Sequence, residues 1–210
     1  MKAYDHFIYG GRELDAMRAD FTALTGVEPT LGGRHPGLGT HNALASLGDT
    51  VYFELLAVDP QQTPDGNMGA RLQQFTVPRL FAYMLKATGG EMEAAKTVLA
   101  DHGIEADLFD ASRTTPDGRV LRWRLLVPHD NAFGDFVPKL IDWQNTPHPA
   151  ANNARGCRFE SFEMGHPRAA ELNALLKELD APHEVLRADR AYMQLRIGSP
   201  RGRTVLTSRE

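Results

Sequence analysis

The chain has 210 residues, 42% of them hydrophobic and 24% charged, which suits one large globular domain or two small ones. The formal net charge is −4 and no basic patch stands out, so nucleic acid is not expected as a partner. Cys157 is the only cysteine, which excludes an intramolecular disulfide and a cysteine-rich metal site. No apolar run reaches the roughly 18 residues that span a bilayer, and the start of the chain lacks a signal-peptide pattern. We therefore expect no membrane partner and a cytoplasmic location.

The first third of the chain predicts one β-α-β-β-β unit. A short apolar strand is followed by a helix whose apolar residues Leu14, Met17 and Phe21 recur at helical spacing, and Gly26 is a natural stop. A glycine-rich segment, 32–39, is interpreted as a flexible loop around His35. The predicted elements are a strand at 3–9, a helix at 12–25, and strands at 27–31, 40–47 and 51–58.

The same order of elements then returns twice. The second unit covers about residues 80–144 and includes a predicted hairpin turn at 116–119, and the third covers about 158–208. One such unit leaves an apolar sheet face uncovered, whereas two packed units bury it and leave a cavity between them. We expect an α+β fold of repeated βαβββ modules, with curved mixed sheets around a cavity and helices outside. Residues 1–150 form the main domain, with modules at 4–60 and 80–144, and 151–210 a third, partial module.

Glu54 is the residue that most needs an explanation. It is the one carboxylate in an otherwise apolar predicted strand, and burying an ionised carboxylate is costly without a cation or hydrogen-bond donors. His6, in the equally apolar first strand, is the best partner. The two patterns indicate a shared metal ion or a buried ion pair, and a pairing of Glu54 with an arginine is the remaining alternative.

The repeat and several segments together resemble the vicinal oxygen chelate superfamily (glyoxalase, bleomycin resistance and dioxygenase proteins), and more narrowly its bacterial glyoxalase-like domain proteins. The resemblance covers about residues 4–150. The segments that carry it are 5–7 (DHF), 32–44 (GGRHPGLGTHNAL), 52–56 (YFELL), 117–125 (DGRVLRWRL), 138–143 (PKLIDW) and 147–149 (PHP).

The resemblance implies a metal site and a choice between two functions. In this superfamily the first and fourth strands of each paired unit each offer one ligand to a divalent ion, which stabilises an enolate-like oxyanion. His6 and Glu54 match these positions in the first unit, and Asp142 is aligned with Glu54 in the second. Three ligands are expected to hold Zn, Ni, Mn or Fe in a lyase or isomerase that acts on a small oxygen-rich metabolite. The alternative is a protein that only binds a drug or metabolite.

Further residues are predicted to line the pocket, and a homodimer is expected. Glu54 or His35 is expected to move a proton, since a histidine in a glycine-rich segment can act near neutral pH. The other predicted pocket residues are Asn42, Trp123, Arg124 and Trp143, with Trp123 as an apolar wall and Arg124 as a carboxylate clamp. The partner is expected to be a small molecule.

Overall fold

The computed structural model describes residues 1–115 and 117–208, and its first eight strands close into a barrel. Pro116, in the predicted hairpin turn, and residues 209–210 of the third predicted module lie outside the described residues. The barrel strands are β1 (Tyr4–Gly11), β2 (Thr30–His35), β3 (Thr40–Ser46), β4 (Tyr52–Val58), β5 (Arg79–Lys86), β6 (Ala106–Thr114), β7 (Val120–Pro128) and β8 (Lys139–Asp142).

The barrel consists of two similar halves. Its strand order is β1-β4-β3-β2-β6-β7-β8-β5, so each half has its first strand beside its fourth. The halves meet at a long antiparallel pairing of β1 with β5, and at the opposite seam by one residue pair of β2 and β6, Arg34 with Thr114. Both parallel pairs, β1 with β4 and β5 with β8, make the sheet mixed. The predicted α+β fold with βαβββ modules around a cavity is confirmed.

The β1–β5 pairing shows that the halves are related by a local twofold axis. Phe7 pairs with Tyr83, and the register shifts once on each side of this pair, leaving one bulged residue in each strand, Asp5 and Phe81. The axis therefore makes Asp5 equivalent to Phe81 and His6 equivalent to Ala82. These equivalences identify the residues of the second half that correspond to the site residues of the first half.

Four α-helices among the described residues lie outside the barrel strands, and local sequence explains where two of them begin or end. They are α1 (Leu14–Thr25), α2 (Met68–Leu72), α3 (Gly89–Asp101) and α4 (Ala169–Glu178). Helix α1 ends at Gly26, which adopts the left-handed conformation (φ 77°) that favours glycine. Helix α3 begins with a capping box, in which Glu91 accepts a hydrogen bond from the backbone N–H of Thr88. No helix of the described residues is long and apolar enough to cross a membrane.

The last part of the chain forms a separate sheet that covers the outer face of the β1–β5 seam. Its strands are β9 (Arg158–His166), β10 (Val185–Arg187), β11 (Tyr192–Ser199) and β12 (Gly202–Thr207), in the order β10-β9-β11-β12. Phe159 stacks on Phe7 of β1, with ring centroids 5.4 Å apart. The third unit repeats the order of elements, but its first strand pairs with its second and third strands, which differs from the two barrel halves.

Two segments differ from their sequence-based predictions. Residues 32–35 of the expected glycine-rich loop belong to strand β2, because glycines there let the barrel wall close tightly. At Gly33 (φ 144°) a Cβ atom would overlap the carbonyl oxygen of Thr114 across the β2–β6 seam. The last strand of the second predicted module begins only at Lys139, since Gly134–Phe136 forms a 3₁₀ turn before it.

Candidate functional site

The barrel encloses a cavity of about 360 Å³, and its polar side chains are distributed unevenly. The first half of the barrel contributes His6, His35, Asn42 and Glu54, all buried. The second half contributes an apolar wall with two cations in it. That wall includes Phe81, Met84, Phe109, Trp123, Leu125 and Ile141, and the cations are Arg113 and Lys139. The cavity therefore suits a molecule with one polar and one apolar end.

The bulge in β1 brings two neighbouring side chains to the site. Strict alternation predicts that Tyr4 shares a face with His6, and this is wrong because the extra residue, Asp5, shifts the alternation. Tyr4 instead packs outward against Phe7, with ring centroids 5.1 Å apart. Asp5 is fully buried, and its carboxylate Oδ1 lies 2.7 Å from Nδ1 of His6.

His6 lies between two carboxylates. Its Nδ1 faces Asp5, and its Nε2 lies 3.4 Å from Oε2 of Glu54. Asp5 also accepts hydrogen bonds from the indole N–H of Trp143 at 3.2 Å and from Nε2 of His148 at 3.0 Å. The ring of His6 stacks on Tyr52 at a centroid distance of 4.3 Å, which fixes its plane.

These contacts set the charges of the site. Burial disfavours the charged imidazole, but the hydrogen bonds to Asp5 and Glu54 outweigh it and raise the pKa of His6 to about 9. Burial likewise opposes ionisation of Glu54, yet His6, with help from Asn42, lowers its pKa to about 2. The His148 and His6 rings hold the pKa of the buried Asp5 carboxyl well below its usual range. At neutral pH the site therefore contains an imidazolium between two carboxylates.

Asn42 and His35 hold the second oxygen of Glu54. The amide Nδ2 of Asn42 donates to Oε1 of Glu54 at 2.6 Å and lies 3.3 Å from Nε2 of His35. Nδ1 of His35 lies 2.9 Å from the hydroxyl of Thr40. Burial lowers the pKa of His35 to about 4, so the ring is neutral at pH 7. The bonding pattern then assigns the ring proton to Nδ1, leaving Nε2 to accept from Asn42.

Arg113 supplies a buried cation that sequence reasoning missed. It is 4% exposed, lines the cavity, and its Nη1 has no hydrogen-bond partner among the described residues. The side-chain oxygen Oδ1 of Asn42 is also without a hydrogen-bond partner among the described residues, and a Cβ atom at Gly32 would overlap both Oδ1 of Asn42 and Nη1 of Arg113. Glycine at position 32 thus permits the close approach of Asn42 and Arg113 across the seam. Because Arg113 lies close to the hairpin turn predicted at 116–119, the sequence pattern did not indicate that its side chain faces inward.

The structure does not bring Asp142 or Arg124 to the cavity. Both lie on the outer face of the barrel, where they pair with each other in register. Asp142 accepts a hydrogen bond from the backbone N–H of Gln144 at 2.7 Å, and Arg124 donates to the exposed Asp110 at 2.9 Å. The alternation of a strand explains the placement, since Lys139 and Ile141 point inward. Trp123 and Trp143 do line the cavity, with ring centroids 5.2 Å apart.

Lys139 occupies the place in the second half that Glu54 occupies in the first. Glu54 pairs with Ile8, and Lys139 pairs with Met84, the residue that the local axis relates to Ile8. The alignment of Asp142 with Glu54 is therefore wrong by three residues. Equivalent reasoning relates Asn42 to Leu125, because they pair with Leu56 and Ile141. The positions of His6, Asn42 and Glu54 are therefore taken in the second half by Ala82, Leu125 and Lys139, and only the last of these is polar.

A family comparison identifies the chain. The family model described as "Glyoxalase-like domain" matches residues 4–179. The chain belongs to the glyoxalase-like domain family. This family assignment and the fold place it in the vicinal oxygen chelate superfamily. No curated protein matches the sequence.

Solved structures similar to this glyoxalase-like chain share its fold at low sequence identity. A hypothetical protein from Staphylococcus aureus has a TM-score of 0.65 and 20% identity, over 91% of this chain and 80% of that one. A methylmalonyl-CoA epimerase variant from Streptomyces coelicolor, in complex with 2-nitronate-propionyl-CoA, gives 0.50 and 17%, over 71% and 99%. A Mn(II)-bound glyoxalase from Novosphingobium aromaticivorans gives 0.51 and 12%, over 98% and 81%.

The fold is compatible with a divalent metal ion, as that Mn(II)-bound glyoxalase demonstrates, but the donor set of this chain does not fit the expected site. His6 and Glu54 are adjacent, whereas the equivalent positions of the second half hold Ala82 and Lys139. Within residues 1–115 and 117–208, no group of three or more His, Cys, Asp or Glu side chains is arranged so that it could hold a metal ion. A lysine ammonium also repels a cation at the place where a third ligand is needed.

Proposed function

We propose that this glyoxalase-like protein is an enzyme that moves a proton on a small carbonyl-containing metabolite, in an isomerase- or lyase-type reaction. The observation that carries the proposal is the contact of 3.4 Å between Nε2 of His6 and Oε2 of Glu54 in the wall of an otherwise largely apolar cavity. One partner is a protonated acid and the other an ionised base at neutral pH.

The proposed step uses both members of the pair. Glu54 removes a proton from the carbon next to a substrate carbonyl, and the electron pair of the broken C–H bond moves onto the carbonyl oxygen. The His6 imidazolium donates a hydrogen bond to that oxygen and stabilises the enolate. Return of the proton from Glu54 to a neighbouring carbon completes an isomerisation, whereas loss of a leaving group with the electron pair of its bond completes an elimination.

Substrate entry between the two side chains makes Glu54 a stronger base. His6 is the partner that most lowers the pKa of Glu54, and a substrate oxygen that takes the N–H of His6 weakens this contact. Asn42 keeps Oε1 in place, so Oε2 stays directed at the cavity. His35 is a positioning residue. Its neutral ring accepts a hydrogen bond from the Asn42 amide and so acts on Glu54 only through Asn42.

Solvent exchange tests the proposal directly. Incubation in D₂O with a panel of hydroxyketones and 2-oxo acids, followed by proton NMR, detects enzyme-dependent loss of the C–H signal next to the carbonyl. Glu54→Gln is expected to slow this loss by about 10² to 10⁴-fold, the usual contribution of a general base. Asp142→Asn, on the outer face, is the matched control and is expected to retain the wild-type rate. Equal rates in wild type and Glu54→Gln would contradict the proposal.

A binding protein without chemistry is the second candidate function. It is favoured by the second half of the barrel, where Ala82 and Leu125 replace His6 and Asn42 and leave a hydrophobic wall suited to a drug-like or aromatic molecule. In this case a compound that raises the melting temperature of the protein is recovered without deuterium at any carbon. Deuterium in the recovered compound excludes this candidate.

We also propose that the protein forms a homodimer, and the fold restricts where strands of two copies can pair. The barrel is closed, so only β10 and β12 of the second sheet have a free edge among the described strands. Light scattering after size exclusion gives the mass. A dimer that becomes monomeric with Val205→Lys on β12 supports pairing at that edge, whereas a wild-type monomer refutes it.

A further inference from the structure

Lys139 is a buried cation in the wall of the cavity. The residue is 7% exposed, and it faces inward beside Ile141. It lies in one row of the barrel with His6, because Met84 pairs with both residues. Two strand spacings, about 10 Å between Cα atoms, therefore separate Lys139 from His6. One small molecule can contact both side chains.

The charge of Lys139 is only partly balanced by the protein. Its one carboxylate neighbour within 4.0 Å among the described residues is Asp135, whose Oδ1 lies at that limit from Nζ. The other oxygen of Asp135 already accepts a hydrogen bond of 2.5 Å from Arg71. Asp107 lies at the cavity mouth, but its side chain is 70% exposed and pairs with His129 at 3.0 Å. Because buried charges are normally paired, the surroundings of Nζ favour an additional anionic partner.

The other charges of the cavity do not supply this anion. Asp5 and Glu54 flank His6, and Arg113 is the cation that faces Glu54 and Tyr52. Toward the cavity, Lys139 is otherwise surrounded by apolar lining residues such as Met68, Met84 and Val127. On its other side it borders a small cleft that Asp130 and Asp135 also line, and of these two carboxylates only Asp135 lies within 4.0 Å of Nζ. An anionic group on the ligand is the chemical complement of this arrangement.

We propose that Lys139 binds a carboxylate of the substrate, so that the cavity selects small carboxylic acids with an aromatic or branched apolar body. The inference rests on the proposed function for the reacting end, where Glu54 and His6 act, and it adds the anchor at the other end. A cavity of about 360 Å³ with two tryptophans in its lining accommodates a molecule of one ring and a short side chain. At the position that Glu54 occupies in the first half, the second half thus has the ammonium group of Lys139.

A binding experiment with a charge-matched pair of probes tests the anchor. The probes are 3-phenylpropionate and its neutral amide, 3-phenylpropionamide. Both tryptophans of the chain, Trp123 and Trp143, line the cavity, so intrinsic fluorescence reports occupancy. At pH 7 the wild type is expected to bind the acid about tenfold or more tightly than the amide, as for a charge-assisted hydrogen bond.

Variants at Lys139 separate the anchor from a merely structural lysine. Lys139→Met, which keeps the length of the side chain, is expected to reduce the acid-to-amide affinity ratio to about one, and Lys139→Arg to keep it near the wild-type value. Three outcomes would each overturn the proposal. They are an affinity ratio near one in the wild type, an unchanged ratio in Lys139→Met, and no saturable binding of the acid up to about 10 mM. Glu54→Gln is expected to keep the preference for the acid over the amide. The binding result therefore does not depend on whether the proposed proton transfer is correct.

Discussion

Glu54 on β4 and Lys139 on β8 face the same cavity from positions that the local twofold axis of the barrel relates. Two halves of one architecture therefore carry opposite charges at one structural position. The first half holds the acid–base pair, and the second provides an apolar wall that contains two cations, Arg113 and Lys139. This division explains why a symmetrical fold has an asymmetrical site.

Removal of Asp5 is expected to destabilise the protein strongly. Asp5→Ala leaves the imidazolium of His6 without its closest counter-charge and the indole N–H of Trp143 without its acceptor. Loss of one partner of a buried pair costs about 3 to 5 kcal/mol. Urea unfolding followed by circular dichroism measures the change. Asp142→Ala, on the outer face, serves as the control and is expected to cost less than about 1 kcal/mol. Similar losses in the two variants would refute the burial and pairing described for Asp5.

Any side chain at position 32 is expected to lower the free energy of unfolding. In Gly32→Ala the new methyl group overlaps Asn42 Oδ1 and Arg113 Nη1, and both side chains have to shift. We expect a loss of about 1 to 3 kcal/mol in the free energy of unfolding, as for overpacking in a core. Gly90→Ala is the matched control, because nothing lies within 4 Å of its Cβ position in helix α3. That control is expected to be neutral or slightly stabilising. Equal changes in the free energy of unfolding for Gly32→Ala and Gly90→Ala would contradict the close packing described at the β2–β6 seam.

The stability of the fold is expected to fall between pH 6.5 and pH 4, partly through His183. Burial lowers the pKa of this histidine to about 4, while its Nδ1 lies 2.8 Å from the hydroxyl of Tyr4. Below the unfolded pKa of 6.5 the unfolded chain takes up a proton that the folded state does not, so acid favours unfolding.

Comparison with His183→Gln isolates this contribution. Glutamine can still accept from Tyr4 but does not titrate, and the buried His35 titrates in both proteins. Between pH 7 and pH 5 the wild type is expected to lose about 2 kcal/mol more than the variant, measured by urea unfolding at each pH. Parallel losses would show that His183 is accessible to protons in the folded state.

Sequence reasoning found the fold and the first half of the site because both depend on local patterns. The repeat of strand, helix and three strands predicted curved mixed sheets around a cavity, and the isolated carboxylate in an apolar strand pointed to Glu54, with His6 as its partner. Trp123, Trp143, Asn42 and His35 were predicted to line the pocket and do line the cavity. Their catalytic and binding roles stay predictions.

The second half of the site was not predictable from local patterns because it depends on register. A shift of three residues along β8 decides whether Asp142 or Lys139 is equivalent to Glu54, and only the pairing with β5 fixes that choice. The contribution of Asp5 depends on a bulge, which breaks the alternation on which sequence reasoning relies. Arg113 faces the site across a seam that joins strands distant in sequence.

The most direct test of the central claim is the rate of solvent-deuterium incorporation into a compound that the wild type exchanges, measured by NMR before and after dialysis against EDTA. Plasma mass spectrometry of the untagged protein in the same samples gives the content of zinc, nickel, manganese and iron. The account predicts that dialysed wild type retains its rate and that Glu54→Gln loses it. A rate that disappears with a bound divalent ion and returns when the ion is added back would contradict the account and show that the protein works through a metal centre.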